Sequence, residues 1–186
     1  ISEKHQKRID EGKEWLKTIS IPYKNPPKNS SYVTLNELEF LRDLRTDGSE
    51  LKEFDNIEDN FGDLLEGFGF DRNKDYIDDL VHKSRGPIYV LKYHYNRPRP
   101  SQVAEVRGID INQSSVDSAK TPSYPSGHST QAYLLSIKLA TKYPSIASEL
   151  YELGENISYS RVLGKVHYPS DYQYGKILGD SLARSL

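Results

Sequence analysis

Apolar residues recur at helical spacing along most of this chain, between short stretches rich in proline, glycine and asparagine. The first such segment, residues 3–19, is highly charged and carries a narrow apolar stripe that includes Ile9, Trp15 and Ile19. This pattern is typical of an amphipathic helix on the outside of a domain. We therefore expect residues 1–33 to form an N-terminal helix or arm.

The middle of the chain predicts further helices, whose ends are marked by capping and breaking residues. Thr34 and Glu37 have the spacing of a capping box, so a helix is expected to start at Thr34. Segments 49–66 and 73–83 carry apolar residues at helical spacing, with a Gly-Phe-Gly-Phe break between them. The apolar run that starts at Pro87 fits a helix or a strand by periodicity alone. We favour a helix, because a proline suits a first helical turn.

The last part of the chain continues the helical pattern. A loop is expected over 100–126, and helical patterns then cover 127–143, 144–165 and 169–186. The last two of these segments begin with a proline, which a first helical turn accepts. No strand pair or βαβ pattern is present. The sequence therefore predicts one all-α domain over residues 1–186, a helical bundle of about seven or eight helices.

Composition limits the classes of function that fit this chain. The 186 residues include 25 Lys and Arg against 27 Asp and Glu, for a formal net charge of −2. A nearly neutral chain lacks the broad basic face of a nucleic-acid-binding protein, so any anion site must be built locally. No window approaches the ~18 apolar residues of a membrane span, so we expect a soluble protein. The absence of cysteine excludes disulfides, thiolate metal ligands and a cysteine nucleophile.

The sequence assigns neither a compartment nor an oligomeric state. No signal peptide is visible, and the chain starts at Ile1 rather than at Met, which is compatible with the removal of an upstream segment. No cluster of Asp, Glu and His has the spacing of a two-metal phosphatase. We therefore expect no metal site and no cofactor.

Three separated stretches hold residue types that bind and transform oxyanions. The first runs from Lys92 to Pro100, and in it Arg97 and Arg99 each precede a proline. Because a following proline biases the backbone toward extended conformations, the two guanidinium groups project from a stiffened segment. A guanidinium fork matches the oxygens of a phosphate. A solvated basic turn is the alternative interpretation of this stretch alone.

The second stretch, Pro125 to His128, precedes or opens a predicted helix. The free backbone amides of a helix N-terminus favour an anion. Gly127 lets a ligand approach the backbone closely, and His128 would lie beside that ligand. The alternative is that Ser126 is an ordinary N-cap and that His128 is an ordinary surface histidine.

The third stretch runs from Ser160 to Asp171 and contains a further guanidinium, that of Arg161. His167 and Asp171 are four residues apart, and a helix start at Pro169 would place Asp171 in the first turn, where the helix dipole favours a carboxylate. Asp171 would then accept a hydrogen bond from one ring nitrogen of His167, which leaves the other nitrogen as a nucleophile or base. An exposed histidine and a capping aspartate are the alternative.

Taken together, the three stretches supply what phosphoryl transfer requires: cations, a nucleophile and a proton donor. The motifs Lys-x6-Arg-Pro, Pro-Ser-Gly-His and Ser-Arg-x5-His-x3-Asp, which begin at Lys92, Pro125 and Ser160, resemble the signature of the type 2 phosphatidic acid phosphatase (PAP2) superfamily. That superfamily includes bacterial class A nonspecific acid phosphatases, membrane lipid phosphatases and vanadium haloperoxidases. The resemblance covers residues 87–180.

The resemblance implies an all-helical fold of the PAP2 and vanadium haloperoxidase type and a metal-independent mechanism in two steps. It implies that His167 attacks phosphorus and becomes a phosphohistidine while Asp171 orients it. It also implies that His128 protonates the leaving alcohol and then activates water. Because vanadate can adopt a five-coordinate geometry like that of the transition state, we expect it to inhibit the enzyme. The residues implied to hold the phosphate oxygens are Lys92, Arg99, Ser126, Gly127 and Arg161. Arg97 and His94 lie outside the signature and are candidates only for lining the pocket.

The leading interpretation is a soluble phosphatase that hydrolyses a small phosphorylated substrate, similar to class A acid phosphatases. The stretch His-Tyr-Pro-Ser-Asp resembles the lipid phosphatases instead, so the branch stays open. A vanadium-dependent haloperoxidase is one alternative, although such enzymes are usually longer and have a longer gap between the arginine and histidine of the third motif. A non-catalytic phosphate-binding protein is another, but binding alone does not need His128, His167 and Asp171.

Overall fold

A computed structural model describes residues 1–113 and 117–186 of the chain. Within these ranges the protein is all-α and has no strand, so the predicted fold class is confirmed. The helices are α1 (Glu3–Leu16), α2 (Tyr32–Asp43), α3 (Ser49–Glu53), α4 (Ile57–Gly67), α5 (Lys74–Tyr95), α6 (Pro100–Val106), α7 (Gly127–Lys142), α8 (Ala147–Leu163) and α9 (Pro169–Ser185). Short 3-10 helices lie at Asp117–Lys120 and Pro144–Ile146. In the described ranges, no helix combines the length and the apolar character that crossing a bilayer requires.

Helix α5 joins two segments that the sequence pattern separates. Pro87 lies in its interior and not in a first turn, so the predicted helix start at Pro87 is wrong. An interior proline costs about 3 kcal/mol or more, because it removes a backbone hydrogen bond and crowds the preceding turn. Val81 before the proline and Leu91 after it are both buried, as is Ile88. Each such side chain contributes roughly 1.5–3 kcal/mol on burial, which is enough to keep the helix continuous.

Helix α2 begins earlier than its predicted capping box. Its N-cap is Ser31, whose hydroxyl accepts a hydrogen bond from the backbone N–H of Thr34. The prediction that Thr34 and Glu37 form the cap is wrong, because the Glu37 carboxylate has stronger partners elsewhere. It accepts hydrogen bonds at the start of α9 from the backbone N–H of Ser170 at 2.6 Å and from the Ser170 hydroxyl at 2.9 Å.

Two other predicted boundaries differ from the structure. Segment 49–66 is divided into α3 and α4, since the Asn56 side chain caps α4 by accepting a hydrogen bond from the backbone N–H of Asp59 at 3.0 Å. The predicted loop 100–126 contains α6, which begins at Pro100. Residues 114–116 of that predicted loop lie outside the described residues.

The contact between α7 and α9 brings the second and third motifs together. A Cβ atom added to Gly175 would lie 2.8 Å from the carbonyl oxygen of Ser126, and one added to Gly179 would lie 2.5 Å from that of Thr130. The two helix backbones therefore approach more closely than any side chain allows. The backbone N–H of Ser126 also donates to the carbonyl oxygen of Asp171 at 3.1 Å. The N-termini of α7 and α9 are thus fixed side by side.

Candidate active site

A cavity of about 190 Å³ lies between α5, the N-termini of α6 and α7, the last turn of α8 and the segment before α9. Its wall includes most of the residues that the sequence analysis predicts for the site, namely Lys92, Arg99, Gly127, His128, Arg161 and His167. Ser126 and Asp171 are fully buried and do not reach the wall. The cavity therefore collects residues from all three sequence motifs.

His167 presents one ring nitrogen to the cavity. Its Nδ1 lies 3.1 Å from Oδ2 of Asp171, and its Nε2 lies 3.0 Å from Nη1 of Arg99. A guanidinium has donors only, so Nε2 must accept this bond and Nδ1 must carry the proton toward the carboxylate. Burial, together with the charges of Arg99 and Lys92, holds the pKa of His167 well below its ordinary value. Nε2 is therefore held unprotonated, with its lone pair accepting the hydrogen bond from Arg99.

Asp171 is fully buried and accepts hydrogen bonds on both oxygens. Oδ2 accepts from the Ser123 hydroxyl, from the backbone N–H of Tyr168 at 2.9 Å and from His167. Oδ1 accepts from Nη1 of Arg97 at 2.7 Å. Burial raises the pKa of Asp171, and the Arg97 charge and the other donors limit that rise. The carboxylate therefore fixes the position of the His167 ring.

Arg97 contacts Asp171 but does not line this cavity. Its side chain is 1% exposed, and it bridges Asp171 to Glu37 of α2, with Nη2 3.1 Å from Oε2 of Glu37. The guanidinium carbon also lies 3.8 Å from the ring centroid of Tyr168. The second candidate for lining the pocket, His94, is exposed and packs against the Tyr95 ring instead. Alternating Arg-Pro was the sequence signal for Arg97, whereas Glu37 gave only a misleading capping signal.

Lys92 and Arg99 are buried cations whose nearest partners are neutral backbone oxygens. Nζ of Lys92 donates to the carbonyl of Pro122 at 2.6 Å, and Arg99 donates to those of Thr121 at 2.7 Å and Val166 at 2.8 Å. Burial and the neighbouring Arg99 charge lower the pKa of Lys92. Burial lowers the pKa of Arg99 to about 10. An anion in the cavity would offset the repulsion between these groups.

The first turn of α7 places Gly127 in the cavity wall and Ser126 behind it. The Ser126 hydroxyl caps the helix by accepting from the backbone N–H of Ser129 at 3.2 Å. The structure therefore does not bring the Ser126 side chain to the cavity. A Cβ atom added to Gly127 would lie 3.9 Å from Cε of Lys92 and 3.7 Å from Ile88. It would occupy space beside the cation, where glycine leaves room for a ligand.

His128 and Arg161 share a carboxylate that has no sequence motif, that of Asp55 between α3 and α4. Nε2 of His128 lies 3.0 Å from the backbone oxygen of Asp55 and 3.5 Å from its Oδ1, and Nη2 of Arg161 lies 3.1 Å from the same Oδ1. Burial lowers the pKa of His128, and Asp55 opposes this effect. The hydrogen bond with His128 lowers the pKa of Asp55. No local pattern could predict Asp55, because it contacts residues far away in the sequence.

We expect Arg97→Gln to destabilise the protein more at neutral than at acidic pH. Removing one partner of a buried ion pair typically costs about 3–5 kcal/mol. Without Arg97, the pKa of Asp171 rises further in the folded state. A carboxyl whose folded pKa is raised contributes stability below its unfolded pKa and loses it as the pH rises through the folded pKa. Urea unfolding of variant and wild type at pH 4.5 and 7.5 measures the difference.

The matched control for this test is Arg107→Gln, which removes the same charge from an exposed arginine that donates to the backbone of Asn29 at 3.1 Å. Surface substitutions of this kind usually change stability by less than about 0.5 kcal/mol. An Arg97→Gln penalty that is the same at both pH values would contradict the ion pair with an ionised Asp171.

We expect Asp55→Asn to lower the pKa of His128 further, because the carboxylate favours the charged imidazolium and the amide does not. Titration of the ring protons by NMR measures this pKa without any assay of activity. Glu53→Gln is the matched control, since it removes the same charge two residues away on an exposed side chain. An unchanged His128 titration in Asp55→Asn would show that Asp55 contacts the ring through its backbone oxygen alone.

Comparison with known proteins identifies this arrangement of helices and motifs. A crystal structure described as that of the first bacterial vanadium-dependent iodoperoxidase has a TM-score of 0.67 to this protein at 15% sequence identity, over 89% of this chain. The present chain spans about half, 51%, of that chain, and the likeness shows the fold. No curated protein sequence matches. The sequence profile of the PAP2 superfamily matches residues 84–185, which contain all three motifs, and the chain therefore belongs to that superfamily.

Proposed function

We propose that this protein is a metal-independent phosphatase that hydrolyses phosphomonoesters through a phosphohistidine intermediate. The observation that carries the proposal is the state of His167. Its Nδ1 is held by a buried carboxylate, and its Nε2 faces a cavity walled by Lys92, Arg99 and Arg161. A phosphate held by those cations lies next to an unprotonated nitrogen nucleophile.

In the first step, Nε2 of His167 forms a bond to phosphorus while the bond from phosphorus to the ester oxygen breaks. His128 acts in its protonated form and gives one proton to the departing oxygen, so that an alcohol leaves and the neutral ring remains. The ring of His167 becomes positively charged as the bond forms, and the Asp171 carboxylate stabilises that charge. In the second step, His128 takes a proton from water, the oxygen attacks phosphorus, and the bond between nitrogen and phosphorus breaks to release inorganic phosphate.

The cations hold the three equatorial oxygens, on which charge accumulates in the transition state. Lys92 and Arg99 are already oriented by backbone carbonyls, so little reorganisation of these two groups accompanies the reaction. The amide of Gly127 lies at the N-terminus of α7, where it can donate to the same phosphate. Ser126 contributes by capping this helix, which is a change from its predicted contact with phosphate.

Asp55 must give way when substrate binds, because its carboxylate contacts two groups that we assign to the phosphate and the leaving group. Half of this side chain is exposed, so movement toward solvent costs little. Its bond to Arg161 is replaced by a bond to the phosphate, and its backbone oxygen can remain on His128. Asp55 thus keeps the proton donor oriented in the absence of substrate.

We expect hydrolysis of p-nitrophenyl phosphate to survive EDTA, because the cations of the protein supply the positive charge that two-metal phosphatases take from ions. In the described residues, no group of three or more Asp, Glu and His side chains is arranged to hold a metal. Loss of activity in EDTA that Mg²⁺ or Zn²⁺ restores would overturn the mechanism.

Orthovanadate should compete with substrate, since it mimics the five-coordinate transition state. Efficient oxidation of bromide by the vanadate-treated protein with peroxide would favour the haloperoxidase alternative.

We expect the two histidine variants to differ in their dependence on the leaving group. His167→Ala removes the nucleophile and should nearly abolish turnover of every substrate. His128→Ala should slow hydrolysis of an alkyl phosphate by about 10²–10⁴-fold and that of p-nitrophenyl phosphate far less, because nitrophenolate leaves without a proton. His82→Ala, an exposed histidine of α5, is the matched control.

Steady-state rates on the two substrates are the first measurement, and a mass-spectrometric search for phosphohistidine is the second. His128→Ala should accumulate the phosphoenzyme, because activation of water also depends on this ring. Equal slowing of both substrates by His128→Ala, or phosphate found on a residue other than His167, would refute the assignment of roles.

A further inference from the structure

Two arginines outside the family motifs also line the cavity, Arg8 of α1 and Arg85 of α5. Nη1 of Arg8 donates to the Tyr89 hydroxyl at 3.1 Å, and its guanidinium carbon lies 5.1 Å from the centroid of the Tyr89 ring. Arg85 is one turn before Tyr89 on the same helix. The two guanidinium groups therefore belong to the part of the wall formed by α1 and α5.

The position of Arg8 is fixed by very close packing between α1 and α5. A Cβ atom added to Gly12 would lie 2.3 Å from the carbonyl carbon of Gly86, and one added to Gly86 would lie 3.3 Å from the backbone oxygen of Arg8. Ile9 beside Arg8 is buried. A helix that approaches this closely has little freedom to slide, so Arg8 remains at the cavity.

Both arginines lack the carboxylate partners that several other arginines of the described residues have. Arg72, for example, pairs with Asp59 at 2.9 Å and with Glu66 at 3.2 Å. Among the described residues, no carboxylate lies within 4.0 Å of the Arg8 or Arg85 guanidinium. The cavity wall holds five cationic side chains and, within the described ranges, no carboxylate.

This charge exceeds what one phosphate requires. A phosphomonoester presents three non-bridging oxygens, which Lys92, Arg99 and Arg161 and the Gly127 amide suffice to bind. Arg8 and Arg85 then have no anion to neutralise. We propose that they bind a second phosphate group of the substrate, next to the one that is cleaved. This inference rests on the proposed phosphatase function and names its substrate class: compounds in which a second phosphate group, joined through carbon or through an anhydride, lies next to the phosphate that is cleaved.

The test compares substrates that differ only in the second phosphate. ADP against AMP tests a second phosphate joined through an anhydride, and fructose 1,6-bisphosphate against fructose 6-phosphate tests one joined through carbon. Charge-assisted hydrogen bonds that lack a partner cost about tenfold or more in affinity. For each substrate pair we take the ratio of kcat/KM for the doubly phosphorylated member to that for the singly phosphorylated member. We expect Arg8→Gln and Arg85→Gln each to lower this ratio by about tenfold in at least one of the two pairs.

The matched controls are Lys7→Gln on α1, whose side chain is 80% exposed, and Lys83→Gln on α5. They remove the same charge from the same helices and should leave the ratio unchanged. Arg8→Lys should restore part of the preference, which a purely structural role would not predict. If Arg8→Gln and Arg85→Gln slow all substrates equally, or change no ratio in either pair, the second phosphate site is refuted.

A measurement of ligand binding distinguishes a failure of this proposal from a failure of the proposed function. His167→Ala lacks the nucleophile, so its affinity for inorganic diphosphate and orthophosphate can be measured by calorimetry without turnover. We expect Arg8→Gln in this background to weaken diphosphate binding about tenfold relative to orthophosphate. Wild type that hydrolyses no phosphomonoester would refute the phosphatase, whatever the calorimetry shows. Equal binding of diphosphate by His167→Ala with and without Arg8 would refute the second site alone.

Discussion

The carboxylate of Asp171 is the constraint on which the site depends. A buried carboxylate is tolerated only where donors compensate for lost hydration, and here the donors come from separate parts of the chain. Arg97 follows α5, Ser123 precedes α7, and His167 precedes α9. Glu37 extends the network to α2 by holding both Arg97 and the start of α9. Satisfying one charge therefore fixes four segments, and the position of His167, the proposed nucleophile, is a consequence.

In contrast to Asp171, whose charge is balanced by many donors, the buried cations Lys92 and Arg99 have too little negative charge nearby to balance their own. Lys92 and Arg99 rest on backbone carbonyls, and burial lowers the pKa of each. Such an arrangement costs stability in the free protein, because the groups lose hydration and repel one another. An oxyanion relieves both effects, so ligand binding and folding stability are linked. The fold thus organises these charges before an anion binds.

Local sequence chemistry could predict only those features that depend on neighbouring residues. The helix start at Pro169 and the spacing of His167 and Asp171 place this pair together regardless of the remaining fold, and the all-α class follows from periodicity. The Glu37 partners and the Asp55 contact join residues far apart, so no periodicity reports them. The prediction that a helix starts at Pro87 is wrong for the same reason, since α5 continues through this proline. Burial on both sides of the proline, a tertiary effect, outweighs its local cost.

The division of the site follows the boundary of the family match except at Arg85, which we assign to the second phosphate and which lies just inside that boundary. Residues 84–185 contain every group that we assign to the scissile phosphate and the nucleophile. Asp55 and Arg8 lie before that range. Asp55 contacts His128, the proposed proton donor, and Arg8 lines the cavity. Phosphate chemistry is the same for all monoesters, whereas the rest of the substrate differs. Under the proposed function, the N-terminal helices, which carry no motif, are therefore the part of the chain in which substrate choice can change without loss of the reaction.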